Sequence, residues 1–423
     1  MEKYLIKEEA SKKIQDIKEA DMLVGIPTFN SVRTIGHVVQ AVKEGLAKYF
    51  PDSKSVIVNC DGGSTDGTMD IVKNTVLDLS QSALSSHKKN SVFTIATHYQ
   101  GMPIKGNAFR TFFEISSMLN VKACAVVDSN LKSITPEWVE LLLRPLIDEG
   151  YQYVAPLYYR HKYDGTITKN IIYPLTRALY GKRVRHPMGR DCGFSGDLAR
   201  YYLKKDIWET DFAKFGFDIW MTTTALANGF KVCQSFLGAN IRDAKFVKTD
   251  LSSMLYQVVG TTFNLMETYS HAWTAVSGSE EIVTVGAQRA VGMEPVFINI
   301  DRMIDKFKLG VKELLKIWEG VLPEETMNFL YRLTYMQGKE FYMPDEIWAK
   351  IIYSFAIASH KRNMNNEHLI KSLTPLYLGK LASFVRETWE SSSSEVEEKI
   401  EQLCLSFEKE KEFLVKNWGQ ERK

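Results

Sequence analysis

The stretch VVDSN, residues 126–130, stops an apolar run on Asp128, Ser129 and Asn130. In an open parallel sheet the side chains just beyond the strands line the crevice where ligands bind. NCDGGSTDGT, 59–68, repeats the device. Asp61 ends an apolar run, Gly62 and Gly63 permit positive φ, and Ser64, Thr65 and Asp66 can turn the chain and cap a following helix. Asp61 is placed to accept hydrogen bonds from a base or ribose, while Asp66 reads as a capping residue.

Other stretches are less specific on their own. PTFNS, 27–31, suits close approach of a ligand to backbone and equally suits a plain turn. Lys105-Gly106-Asn107 opens a helical pattern, where a lysine beside a helix N-terminus attracts anions. The GxxxxGK[ST] spacing of a phosphate-binding loop is absent. From 166 to 195 cations crowd together: Lys169, Arg177, Lys182, Arg183, Arg185, His186 and Arg190. A solvated helix face with a basic loop accounts for part of that charge, and an anion site for the rest. Asp218, in FGFDIWM, opens a further helical pattern, where the dipole alone would favour a carboxylate.

The elements that must position these residues fall into two kinds. Apolar runs at 22–27, 55–60, 91–96, 123–128 and 151–156 read as buried strands, each bounded by Asp, Asn, Gly or Pro. Helix-period segments at 33–49, 67–79 and 107–119 alternate with them, which implies βαβ units and a mostly parallel sheet. Beyond about residue 250 the strands stop. Segments 251–270, 299–319, 324–336, 345–361, 366–389 and 395–417 carry apolar residues at helical spacing. Ser394 and Glu397 have capping-box spacing before the last helix, and the SSSS run at 391–394 reads as a short hinge or loop. At the N-terminus an amphipathic helix is expected, with Tyr4, Leu5, Ile14 and Ile17 inward. The expected organisation is an N-terminal helix over 1–20, an α/β domain over 21–250 and an all-helical region over 251–423.

Composition narrows the class. Among 423 residues, 45% are hydrophobic and 25% charged, as in an ordinary globular protein. Lys+Arg of 53 against Asp+Glu of 51 leaves +2, so no overall field recruits nucleic acid or an acidic membrane. The apolar stretches are too short to span a bilayer, and the charged N-terminus lacks a signal peptide's apolar core. Five scattered cysteines with no CxxC argue against a disulfide framework or zinc knuckle, and the cytoplasm is the expected compartment.

Taken in order, strand-PTFN, strand-DGGSTDGT, a Lys-Gly-Asn loop and strand-DSN resemble the GT-A glycosyltransferases that use nucleotide sugars. Over about residues 20–250 the resemblance is to the enzymes making glucosylglycerate, mannosylglycerate and glucosyl-3-phosphoglycerate. It implies a Rossmann-like sheet, a nucleotide-diphosphate sugar and a small anionic acceptor such as D-glycerate or 3-phosphoglycerate. It places Pro27, Thr28, Asn30 and Asp61 at the nucleoside and Lys105 at the base. Asp128, Ser129 and Asn130 then face the diphosphate and metal, and Gly189 with Asp191 and Asp218 the sugar. Thr168, Lys169, Arg185 and Arg190 hold the acceptor. Two departures fall on one ion: Asn130 replaces the second carboxylate of the family's Asp-x-Asp, and Arg242 stands where a histidine ligand is expected. Mg²⁺ or Mn²⁺ is therefore expected at Asp128 and Asn130, either weakly held or dispensable, with Arg242 able to meet diphosphate charge instead. The motifs resemble retaining enzymes. An inverting transferase using Asp191 or Asp218 as base on a lipid, polysaccharide or protein acceptor, and a nucleotide-sugar binder without turnover, stay open. The helical region is expected to mediate a homodimer.

Overall fold

The computed structural model describes residues 8–83, 92–98, 105–243, 250–288, 298–362 and 364–419. Two compact units divide the chain: one of Met1–Tyr159, Met188–Phe246 and Ile282–Val291, the other of Arg160–Pro187, Val247–Glu281 and Gly292–Lys423. Residues 160–187, which the expected boundary at residue 250 places with the sheet, group with the C-terminal helices.

The first unit begins with α1 (Glu8–Ile17), β1 (Met22–Thr28), α2 (Ile35–Tyr49), β2 (Ser55–Asp61) and α3 (Thr68–Ala83). It continues with β3 (Val92–His98), α4 (Lys105–Met118), β4 (Ala123–Val126), α5 (Glu137–Asp148) and β5 (Tyr153–Tyr159). After residue 187 come β6 (Cys192–Ser195), the helices Gly196–Leu203, Asp211–Phe215 and Phe217–Ala227, then β7 (Val232–Ala239) and β8 (Thr284–Val285). Ile14 and Ile17 of α1 are buried as expected, while Tyr4 and Leu5 lie outside the described residues.

The eight strands form one sheet in the order β3-β2-β1-β4-β6-β5-β7-β8. Every pairing is parallel except those of β6, which runs antiparallel between β4 and β5. The central strands are continuous apolar runs because helices cover both faces. Val24, Ile26 and Ile57 pack with Val38 and Val42 of α2 and Leu142 of α5 in one core. A second packing unit is aromatic. Phe109 of α4 lies 4.8 Å, centroid to centroid, from Phe217, and Phe113 lies 5.3 Å from Phe194. This cluster fixes the start of α4 against the start of Phe217–Ala227.

The strand β6 was not expected from the sequence. It is only four residues long and contains Gly193, where an added Cβ would lie 2.3 Å from the Leu142 carbonyl oxygen. Close backbone approach, not side-chain pattern, defines it.

The second unit is helical: a π-helical turn at Thr168–Ile172 leading into Tyr173–Tyr180, then Leu251–Thr268, Ile300–Glu313, Glu324–Tyr335, Asp345–Lys361, Asn366–Glu387 and Ser393–Trp418, with shorter helices between. The last helix starts earlier than expected. Its capping box is Ser392 with Glu395, not Ser394 with Glu397, so half of the SSSS run is helix. No described helix is long and apolar enough to cross a membrane.

Candidate functional site

The chain passes from β1 to β2 and β3 on one side and returns to β4 on the other, so β1 and β4 flank a topological switch point. Ligands of open α/β sheets bind outside the carboxyl ends of strands at such a point. There the loops after β1, β2 and β4 are tied together. The Ser31 hydroxyl lies 2.9 Å from that of Ser129 and donates to Asn130 Oδ1 at 3.2 Å. Thr34 donates to the Ser129 carbonyl at 2.6 Å, and the Ser31 amide donates to Thr68 at 2.8 Å.

Asp61 builds the loop. Its side chain is fully buried and accepts from the Thr28 hydroxyl at 3.0 Å, from the Gly63 and Ser64 amides at 2.9 and 2.8 Å, and from the Ser64 hydroxyl at 2.6 Å. Gly63 makes the turn at φ +90°, where a side chain would be strained. Asn30 accepts from the Thr65 amide at 2.9 Å and its own amide donates to Ser64, joining the β1 and β2 loops. Thr28 is buried and Pro27 half-buried within β1. Asp66 caps as expected, accepting from the Thr68 amide at 3.1 Å.

Asp128 is the hub. Its Oδ1 accepts from the backbone and side-chain nitrogens of Asn130 at 2.8 and 3.0 Å. Its Oδ2 accepts from Arg190 at 3.2 Å and from Nη1 of Arg242. Burial pushes this carboxyl up, but Arg242 foremost, then Arg190 and the Asn130 amide, outweigh burial and hold it well below the usual carboxylate range. Arg242 is placed by backbone pairing: the segment after β7 bridges Leu131, with Lys132 N to Ile241 O at 2.9 Å and Asp243 N to Asn130 O at 2.9 Å.

Asp191, expected at the sugar, pairs with Arg242. It is fully buried, Oδ1 accepts from the Asp128 amide at 2.7 Å, and Oδ2 accepts from Arg242 Nη2 at 2.8 Å and from the Tyr158 hydroxyl. Tyr158 was missed in the sequence, although a phenol near the carboxyl end of a buried strand is a readable signal. Gly189 is buried beside this knot, and Arg190, expected at the acceptor, reaches Asp128. Lys105 and Asp218, separately singled out, form an ion pair across the starts of their helices.

The other acceptor candidates lie in the second unit. Lys169 is buried and donates to the His161 and Lys162 carbonyls at 2.8 and 2.9 Å. Burial first, then neighbouring Arg185, lowers its ammonium from 10.5 to about 8. Arg185 pairs with Glu397 through two contacts of 3.0 Å and lies over the Tyr173 ring. Thr168 precedes Lys169 in the π-helical turn.

The donors at Asp128 and Asn130 do not fit a resident divalent ion in this arrangement. Both Asp128 oxygens accept N–H groups, two of them guanidinium, and Asn130 Oδ1 accepts from Ser31. Among the described residues no group of three or more His, Cys, Asp or Glu could hold a metal.

No family model and no curated protein matches the sequence. Among solved structures, glucosyl-3-phosphoglycerate synthase from Mycobacterium tuberculosis in complex with Mn²⁺, uridine-diphosphate and glucosyl-3-phosphoglycerate is similar at TM-score 0.43 and 18% identity, over 61% of this chain and 84% of that one. The synthase from the same organism with Mn²⁺, UDP-glucose and phosphoglyceric acid is similar at TM-score 0.42 and 19% identity, over 60% and 83%. With Mg²⁺ and uridine-diphosphate it is similar at TM-score 0.42 and 18% identity, over 61% and 83%.

Proposed function

We propose that this chain is a glycosyltransferase moving a hexose, glucose or mannose, from a nucleoside-diphosphate sugar to a small anionic acceptor such as D-glycerate or 3-phosphoglycerate, with retention. The observation that carries the reading is the knot at the β1/β4 switch point, where three strand-end loops converge on Asp128 and two guanidinium groups. The nucleoside lies against the loop of Pro27 and Asn30, which Thr28 and Asp61 hold from beneath. The diphosphate lies at Ser129, Asn130, Arg190 and Arg242, and Asp218, with Lys105 beside it, meets the sugar. Asp191 acts through Arg242 as a positioning residue. Lys169 and Arg185 supply the charge that suits an acceptor carboxylate or phosphate, and Thr168 a hydroxyl.

In the transfer the bond from the anomeric carbon to the diphosphate oxygen breaks and a bond to the acceptor hydroxyl oxygen forms on the same face. The hydroxyl proton passes to the departing diphosphate. A nucleoside-diphosphate release assay tests the reading, using UDP-, GDP- and ADP-sugars with and without D-glycerate or 3-phosphoglycerate. UDP-glucose and phosphoglyceric acid, ligands of the similar synthase, head the panel. Release stimulated by one acceptor is expected, with an α-linked product from an α-linked donor. Tight nucleotide binding with no release under any pairing would make the chain a binding protein.

A further inference from the structure

Resting on that reading, we infer that Arg242 supplies at the diphosphate the positive charge a divalent cation would otherwise bring, so that nucleoside-diphosphate binding by this chain needs no metal. Arg242 is not a loose surface residue. Backbone pairing with 130–132 sets it over Asp128, and Nε donates to Asn240 Oδ1 at 2.7 Å, which fixes the plane of the fork. Nη1 and Nη2 then reach Asp128 and Asp191. A guanidinium has five N–H donors. Three are engaged by described residues here, which leaves two for phosphate oxygens, and the side chain is 21% exposed. Arg190, 57% exposed, shares the same Asp128 oxygen and adds a second, more accessible fork.

Charge balance points the same way. A second carboxylate at 130 would serve a doubly charged ion, whereas a singly charged guanidinium needs less negative charge around it. Asn130 removes that carboxylate and donates two N–H groups to Asp128. A divalent ion approaching Asp128 would meet two guanidinium groups already on its outer oxygen, and Coulomb repulsion opposes it there. The two departures from the family pattern, Asn130 and Arg242, thus form one substitution in physical terms.

The test measures UDP, GDP and ADP binding by titration calorimetry to the full chain, in EDTA and then with Mg²⁺ or Mn²⁺. Wild type should bind one nucleoside diphosphate with Kd changed less than about threefold by EDTA. Arg242→His should lose about tenfold or more in EDTA, as a charge-assisted pair is removed, and regain affinity on adding Mn²⁺. Arg242→Lys, which keeps the charge but not the fork, should fall between them and remain indifferent to metal. If either variant fails to fold, the wild-type comparison still decides. Wild-type binding that collapses in EDTA would overturn the inference and leave the transferase reading standing. No binding of any of the three nucleotides under any condition would overturn both.

Discussion

Arg242 in the first unit and Arg177 in the second each stand between two acidic partners, yet they are built differently. Arg177 is fully buried: Nε reaches Glu408 at 2.7 Å and Ser279 at 2.9 Å, and the two terminal nitrogens grip Glu401 at 2.5 and 2.7 Å. Glu401 and Glu408 lie two turns apart on Ser393–Trp418, so the arginine fastens that helix to Tyr173–Tyr180. Each of its three nitrogens donates within the protein, as each of Arg242's does. Arg242 differs in access: its side chain is 21% exposed against 0% for Arg177, and it sits where strands end. The lesson is that an arginine between two carboxylates marks a candidate site only where a ligand has access to it.

Arg242→Ala should give the largest effect. It leaves Asp191, fully buried, without its guanidinium, and breaking such a pair costs about 3–5 kcal/mol. Urea denaturation should show that loss, and Asp191→Asn in the same chain should recover part of it. Nucleoside-diphosphate affinity should stay lost in both. Arg177→Ala should cost about 3 kcal/mol, the low end of the same range, because Glu401 is 38% exposed and can rehydrate. Its folded fraction should bind nucleotide as wild type does. Equal loss of affinity in both variants would erase the distinction.

That contrast also explains what the sequence could tell. The buried parallel strands were legible within two or three residues because each is a continuous apolar run, and Asp61, Asp128 and Asn130 were legible because they follow such runs. The knot between Asp191, Tyr158 and Arg242 was not. Its members are 33 and 51 residues apart, and they meet only because β6 is inserted antiparallel between β4 and β5. A parallel strand would carry residue 191 to the far edge of the sheet. The antiparallel one pairs Cys192 with Val126, which sets Asp191 beside the end of β4. Four residues with an interior glycine carry no pattern that announces this. The partners of the cations at 166–190 were hidden for a related reason: Arg177 clamps a helix more than 220 residues on, and Arg190 belongs to the other unit.

A smaller effect tests whether the buried cations of the second unit are structural lysines. Lys169 and Lys411 are both lowered from 10.5 to about 8, by burial above all. Around Lys169 stand Arg185 and Arg160, which lower it further, and Glu397 and Asp164, which oppose them. Between pH 8 and 10.5 the folded chain has released these protons while the unfolded chain still holds them, so stability rises with pH across that window. Each lysine contributes at most about 1.4 kcal/mol per pH unit. Lys169→Met should reduce the slope of unfolding free energy against pH, and adding Lys411→Met should flatten it further. An unchanged slope would mean that these ammonium groups reach solvent.

The smallest effect concerns the start of the helix that carries Glu401 and Glu408. Ser392 accepts from the Glu395 amide at 3.3 Å, and Glu395 accepts from the Ser392 amide at 2.7 Å, which satisfies two otherwise unpartnered donors. Ser392→Ala should therefore cost about 1 kcal/mol. Ser394→Ala, inside the first turn, should cost close to nothing. The comparison is informative because both serines satisfy the same S-x-x-E spacing, Ser392 with Glu395 and Ser394 with Glu397, so sequence alone does not choose between them. Glu397 is instead engaged by Arg185, and a carboxylate holding a guanidinium is not available to reach back to the chain start. If Ser394→Ala were the costlier change, the helix would begin two residues later. Glu397 would then be drawn away from Arg185, and a cation assigned here to the acceptor would lose its partner.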